Sequence, residues 1–251
     1  MNFNVEEQTN KIINFIRDYY QTNNLGGAVI GISGGKDSAV VSALFTKALG
    51  KENVVGLTLP CHSNSLDRED AKKISDYYGF KLYNLDLTHV FDAFIMETEK
   101  IDNFSLDERK NSDINLKPRL RMASLYYMAA LLSAKTGKTY LVAGTSNKCE
   151  LYVGYFTKGG DSVHDIGILN DLTVDEVIKI GEYLKVPSDV LYKKPSDGLS
   201  NMSDEDKLEV KYSEIAAYIE NPDNVDEEVC NKIKKLHKAN EHKFNIPTYR
   251  K

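Results

Sequence analysis

Apolar positions along this chain recur with two alternating periods. Over 4–21, Val5, Ile12, Ile13, Phe15, Ile16 and Tyr19 fall at helical spacing, with Glu6, Glu7, Lys11 and Arg17 between them. Asn23-Asn24 and Gly26-Gly27 close that helix. AVIGI (28–32) then reads as a strand, 36–49 as a helix stopped by Gly50, and NVVGLTLP (53–60) as a strand ending at a proline. Residues 66–78 are helical with Gly79 behind them, FKLYNLDL (80–87) alternates with period two, and 88–98 is weakly helical. A long helix over 117–136 leads into a further strand, TYLVAG (139–144). The tail returns to helix over 225–240 through Val225, Val229, Ile233 and Leu236.

This alternation predicts an α/β fold with a parallel sheet and helices on both faces. Ligands in such folds collect at the carboxyl ends of the strands. Three polar stretches fall there: GISGGKDS (31–38), TLPCHSNS (58–65) and AGTSNKCE (143–150). Two segments break the rhythm. EKIDNFSLDERKNSDIN (99–115) is charged and poor in apolar residues, and KKPSDGLSNMSDED (193–206) is rich in Pro, Gly, Ser and Asp. Both read as lids or loops.

Composition narrows the class. The 251 residues suffice for one sizeable core. A 41% hydrophobic and 27% charged composition is that of a globular protein. The net charge of -5 shows no basic surplus, so nucleic acid is not an expected partner. Cys61, Cys149 and Cys230 are odd in number, widely spaced and without a Cys-x-x-Cys pair. That argues against a disulfide framework or structural zinc and for a reducing, cytoplasmic setting. The start, MNFNVEEQTNK, lacks a basic-then-apolar leader, and no apolar run approaches membrane-spanning length, so no membrane association is expected.

GISGGKDS admits three readings. A Walker A loop fails, because Gly31 is one residue too close to Gly35-Lys36 and Asp37 follows the lysine. Gly31-Ile32-Ser33-Gly34-Gly35 does satisfy the G-x-S-x-G elbow of serine hydrolases. However, it lies on the first strand, and none of His62, His89, His164, His237 and His242 stands out as a partner. The third reading is an anion nest. Small residues let backbone N–H groups converge on a phosphate, the following helix adds its dipole, and Ser33, Ser38 and Lys36 add donors. Asp37 beside a phosphate calls for a bridging cation, and Mg²⁺ accepts one or two carboxylates plus phosphate oxygens. The bland alternative is a glycine-rich turn carrying a surface Lys-Asp pair.

Further motifs bear on the choice. Ser33-Gly34-Gly35-Lys36-Asp37-Ser38 resembles the SGGxDS loop of the N-type ATP pyrophosphatases. Asn115-Leu-Lys-Pro-Arg119-Leu-Arg121-Met122, Gly144-Thr145-Ser146-Asn147-Lys148-Cys149-Glu150 and Gly154-Tyr155-Phe156-Thr157-Lys158-Gly159-Gly160-Asp161 are similar to motifs of ammonia-dependent NAD synthetases. Pro195-Ser196-Asp197-Gly198-Leu199, Ser203-Asp204-Glu205 and Glu241-His242-Lys243 extend the resemblance, in family order, from 31 to 243.

The resemblance implies a Rossmann-like doubly wound sheet of the adenine nucleotide α-hydrolase type. It implies a single domain over 1–251, with a helical tail from about 203 to 251 packed on it. The implied activity amidates deamido-NAD with ammonia through an acyl-adenylate, with ATP as co-substrate and Mg²⁺ as metal. Gly31, Ile32, Ser33, Gly34, Gly35, Lys36, Asp37, Ser38, Thr145 and Ser196 would bind ATP, and Asp37 and Glu150 would hold the metal. Lys36, Asp37 and Asp161 would be catalytic. Arg119, Lys158, Asp165, His242 and Lys243 would contact deamido-NAD in a homodimer whose interface holds the dinucleotide. The chain has no segment for the amidase domain of glutamine-dependent relatives, so free ammonia is the expected donor. Val174 stands where the family carries a phosphate-contacting lysine, and Gly159 where it carries tyrosine. Lys148, Lys158, Lys193 and Lys194 are candidate replacements for the lost charge.

Outside the set, the same residues read more plainly. Glu150 would be a surface acid, Arg119 and Arg121 a solvated helix face, and His242-Lys243 an exposed tail. Tyr126, Tyr127, Tyr152 and Tyr155 would serve packing. Two other functions remain open: amidation of another carboxylate, and nucleotide binding without turnover.

Overall fold

Helix α1 (Val5–Thr22) begins where the Asn4 side chain accepts the Glu7 N–H at 3.1 Å, and it buries Ile12, Ile13, Ile16 and Tyr20 along one face. The computed structural model describes residues 3–63, 66–193 and 203–249. Then come β1 (Gly27–Gly31), α2 (Lys36–Leu49), β2 (Val54–Thr58), α3 (Leu66–Tyr78), β3 (Lys81–Asn84), α4 (Thr88–Glu99), α5 (Leu106–Thr136) and β4 (Tyr140–Gly144). The remainder holds α6 (Lys148–Val153), β5 (Ile166–Gly167), α7 (Val174–Tyr183), α8 (Ser188–Leu191), α9 (Asp204–Leu208), α10 (Tyr212–Glu220), α11 (Glu227–Ala239) and α12 (Glu241–Phe244).

The strands form one parallel sheet in the order β3-β2-β1-β4-β5. β1 is central, pairing Ala28 with Val54 on one side and with Leu141 on the other. Ala28, Val29 and Ile30 are fully buried, because a central parallel strand is covered on both faces. Ala28 and Ile30 point toward α1, α2 and α7, where Ile16, Val40, Leu44, Val177 and Ile180 pack. Val29 points the other way, with Val55, Leu57, Phe91 of α4 and Ala129 of α5. A third cluster joins Cys149 and Val153 of α6 and Val174 of α7 to Tyr212, Ile215 and Ile233 of the tail. Val174 is therefore an apolar seat for the tail helices. Cys61, Cys149 and Cys230 are all buried free thiols. Among the described residues no helix is long and apolar enough to cross a membrane.

The expected loop over 99–115 is corrected. Leu106–Thr136 is one helix of 31 residues, opened by a capping box between Ser105 and Glu108. Arg109 pairs with Glu99 and Asp113, so the charged stretch is an ion-paired helix face. Pro118 lies inside this helix and takes one N–H from its ladder. Of the expected loop over 193–206, Lys193 and 203–206 are described and α9 begins at Asp204. Ser196 lies outside the described residues.

Candidate functional site

The sheet grows in opposite directions from β1, through β2 to β3 and through β4 to β5. The crevice past the carboxyl ends of β1 and β4 is thus the topological switch point, where such sheets take ligands. A cavity of about 690 Å³ opens there, lined by the whole of Gly31–Ser38 from the β1 side and by Thr145, Ser146 and Glu150 from the β4 side. Asp161, Asp204 and Lys243 complete its wall from later in the chain.

The loop after β1 braces itself. The Ser38 hydroxyl donates to Gly35 O at 3.0 Å and accepts the Ser33 N–H at 3.2 Å, while Ser33 Oγ accepts the Gly35 N–H at 3.2 Å. Gly34 adopts φ +79, and a Cβ there would stand 2.5 Å from the Asp67 carbonyl oxygen, so only glycine fits. Among the described residues no histidine bonds Ser33, whose hydroxyl contacts are Ser38 and Gly35. The hydrolase elbow thus lacks its base, and the loop has the form of an anion nest at the N-terminus of α2.

The stretch after β4 positions two more groups. Asn147, fully buried, caps α6 by accepting the Cys149 and Glu150 N–H groups at 3.0 and 3.1 Å. Its amide donates to Asp37 Oδ1 at 3.2 Å. Glu150 returns the capping box by accepting the Asn147 N–H at 3.1 Å. Lys36 lies 3.1 Å from Asp37 Oδ2, with its side chain 6% exposed. Asp204, also buried, accepts the Tyr155 hydroxyl at 3.0 Å.

Electrostatics mark this as a cation-seeking site. Burial and then Asp37 push the Glu150 carboxyl well above the usual carboxylate range. Burial works to lower the Lys36 ammonium, but Asp37, Glu150 and Asp204 outweigh it and hold the pKa above its ordinary value. The Tyr212 hydroxyl is buried beside these acids without a hydrogen-bond partner in the described structure. Hard oxygen donors, the neighbouring carboxylates Asp37 and Glu150, and an orphaned hydroxyl fit a magnesium ion. Among the described residues no three His, Cys, Asp or Glu side chains converge as a complete cage, so bound ligand oxygens would fill the remaining positions.

On the opposite wall, Asp161 Oδ1 accepts the Thr157 N–H at 2.9 Å. Its side chain opens into the cavity, yet the surrounding protein mass raises its carboxyl pKa. Lys243 donates to the Gly154 and Phe156 carbonyls at 2.7 Å each, and burial lowers its ammonium pKa. Arg119, Lys158, Asp165 and His242 do not line the cavity. Three of them are linked outside it: Arg119 donates to Lys158 O at 3.3 Å, and Lys158 to His242 O at 2.8 Å. Asp165 is a strut, accepting the Val142 N–H at 2.8 Å and the Tyr126 hydroxyl at 3.0 Å. Arg121 is partly buried, not solvated, and donates to Leu59 O at 3.1 Å.

Sequence reasoning gave no role to Asn147 or His164 and quoted Asp204 only as a motif member, yet each is on this wall or bonded to it; Lys193, a candidate replacement charge, lies on the wall as well. For Asn147 the signal was present, since Asn-x-x-Glu is a capping box. His164 had none, because chain packing beside β4 brings it in.

The NAD synthase family profile matches residues 8–247. The chain belongs to the NAD synthase family. It is 36% identical over 98% of both chains to an NH(3)-dependent NAD(+) synthetase of Carboxydothermus hydrogenoformans. Among solved structures it resembles an NMN synthetase from Francisella tularensis, at TM-score 0.88 and 32% identity over 99% of both chains. It also resembles an NH3-dependent NAD synthetase from Campylobacter jejuni, at TM-score 0.80 and 29% identity over 99% of this chain and 100% of that one. The doubly wound α/β fold expected from the motifs is the one these relatives share.

Proposed function

We propose that this enzyme is a ligase that amidates deamido-NAD with ammonia, consuming ATP and releasing AMP and pyrophosphate. The observation that carries the proposal is the pairing, in one cavity at the switch point, of an anion nest with the carboxylates Asp37 and Glu150. A carboxylate is a poor acyl donor at neutral pH. Attack of the nicotinate carboxylate on the α-phosphorus breaks the Pα–O–Pβ linkage and makes an acyl-adenylate. Ammonia then attacks the carbonyl carbon, loses a proton and expels AMP.

The chain's own groups serve both steps. The Gly34 N–H, the α2 dipole and Lys36 receive the leaving pyrophosphate, where negative charge builds up, while the Ser33 and Gly35 N–H groups hold the loop's shape through Ser38 and Ser33. Gly31, Ile32, Ser38 and Thr145 shape the ATP side of the cavity, and we assign Ser196, which lies outside the described residues, an ATP contact. Asp37 and Glu150 would hold Mg²⁺, which supplies charge neutralisation at the phosphates when bound. Asp161, facing the same space, would hold the ammonium and take its proton. We assign Arg119, Lys158, Asp165 and His242, with Lys243, to deamido-NAD. Since the first four lie outside the cavity of one subunit, this assignment requires a homodimer. Val90, Phe94, Tyr127 and Leu131, all at least 47% exposed on α4 and α5, supply an apolar face for it. We read the chain as a single catalytic domain acting in the cytoplasm, where its three buried thiols stay reduced.

The test is a coupled assay with ATP, Mg²⁺, deamido-NAD and ammonium, run beside Asp37→Ala. Formation of NAD and AMP by the wild type alone supports the proposal, and absence of both overturns it. The likeness to the NMN synthetase favours a second reading, amidation of the acid form of NMN. Comparing kcat/KM for the two acids decides between them.

A further inference from the structure

Lys193 lies in the cavity wall and is held by two acids of α3. Its ammonium is 2.8 Å from Asp67 and 2.7 Å from Asp70. Asp67 is the residue whose backbone oxygen would lie 2.5 Å from a Cβ at Gly34, so this ion pair adjoins the phosphate nest. The nest's own cation, Lys36, is buried and committed to Asp37. A triphosphate carries more negative charge than one committed lysine and a Mg²⁺ offset, so a further cation beside the nest has a use. Asp70 has a second partner, Lys73 at 3.7 Å, which also pairs with Asp189. Asp67 lies in the first turn of α3, where the helix dipole favours a bare carboxylate. Both acids therefore tolerate the departure of Lys193.

We infer that Lys193 is an exchangeable polyphosphate ligand, which leaves Asp67 and Asp70 for the β- and γ-phosphates of bound ATP. The inference rests on the ATP-binding reading above and adds to it a residue and a cost: the two aspartates compete with nucleotide for one cation. A third-exposed lysine can make that exchange by side-chain rotation alone.

Calorimetric titration with α,β-methylene-ATP and with AMP, both with Mg²⁺, tests it. Lys193→Met is expected to weaken the triphosphate analogue about tenfold or more and to leave AMP within about twofold. Lys193→Arg should retain most of the preference. Asp70→Asn is expected to tighten the analogue, because it removes a competitor. Equal weakening of analogue and AMP by Lys193→Met, or no change in either, overturns the inference. So does an Asp70→Asn variant that weakens the analogue as Lys193→Met does, since the pair would then be a structural tether. Wild type that binds neither nucleotide overturns the ATP-site reading together with the inference. Wild type that binds both, with Lys193→Met indistinguishable from it, overturns the inference alone.

Discussion

Asn147 donates its side-chain amide to Asp37 across the gap between β4 and β1, 3.2 Å from nitrogen to oxygen. Because its oxygen already accepts two N–H groups of α6, the amide orientation is determined by the network. One buried side chain thus ties the helix carrying Glu150 to the loop carrying Asp37. Asn147→Ala should cost about 1–2 kcal/mol through the lost cap. It should also slow AMP release at least about tenfold through a misplaced Asp37. Asn147→Ser retains a capping oxygen but no amide, so it should melt near wild type and still be slow. Thermal melts beside steady-state rates check this, and a fully active Asn147→Ser would exclude a positioning role.

Gly34 and Gly159 share a positive φ, +79 and +75, but differ in their surroundings. A Cβ at Gly34 meets the Asp67 backbone at 2.5 Å, whereas at Gly159 nothing lies within 4 Å. Gly159→Ala should therefore cost only the left-handed conformation, about 1–2 kcal/mol, with ATP affinity intact. Gly34→Ala should cost that and also displace the loop from α3, abolishing measurable ATP binding. Equal ATP affinities in the two variants would contradict this account of the nest.

What could be read from the sequence follows from what each element needs. Central strands buried on both faces must be continuously apolar, so β1 and β2 declared themselves through AVI and NVV. The first turns of α5 are held by Ser105–Glu108 capping and Arg109 ion pairs, and carry almost no apolar signal. Their expectation as loop failed for that reason, although S-x-x-E at 105–108 was the available clue. At the site, Asp37 and Glu150 were legible as motif members, 113 residues apart in number yet joined through Asn147. Lys193 was legible only as a spare positive charge and Asp204 only as a motif member, because an ion pair with α3 and the burial of a tail acid leave no periodic trace.

Asp161 predicts opposite effects of pH on rate and on stability. Although its side chain opens into the cavity, desolvation by the surrounding protein raises its carboxyl pKa above the ordinary 3.8, against the pull of the Thr157 N–H, Lys243 and Arg121. The folded state therefore binds the proton more tightly than the unfolded chain. Its contribution to stability is present below the unfolded value and is lost as pH rises through the folded one. Proton acceptance from ammonium needs the ionised form, so kcat/KM should fall as pH drops through that same raised value. Asp161→Asn should remove this acid limb, leave a low flat rate, and melt with less pH dependence than wild type. An acid limb that survives in Asp161→Asn would assign the proton to another group.

The apolar face on α4 and α5 predicts the assembly state. Val90 and Phe94 are 50% and 52% exposed one turn apart on α4, and Tyr127 and Leu131 are 67% and 47% exposed one turn apart on α5. A second copy of the chain covering these two rows would bury four large apolar side chains. Wild type should sediment as a dimer, and Phe94→Glu with Tyr127→Glu should give a folded monomer. Because Arg119, Lys158 and His242 lie outside the cavity of one subunit, that monomer should retain ATP affinity while its KM for deamido-NAD rises at least about tenfold. Sedimentation velocity and two-substrate kinetics on the same preparation provide the check. A wild-type monomer with full activity would return the dinucleotide site to a single subunit.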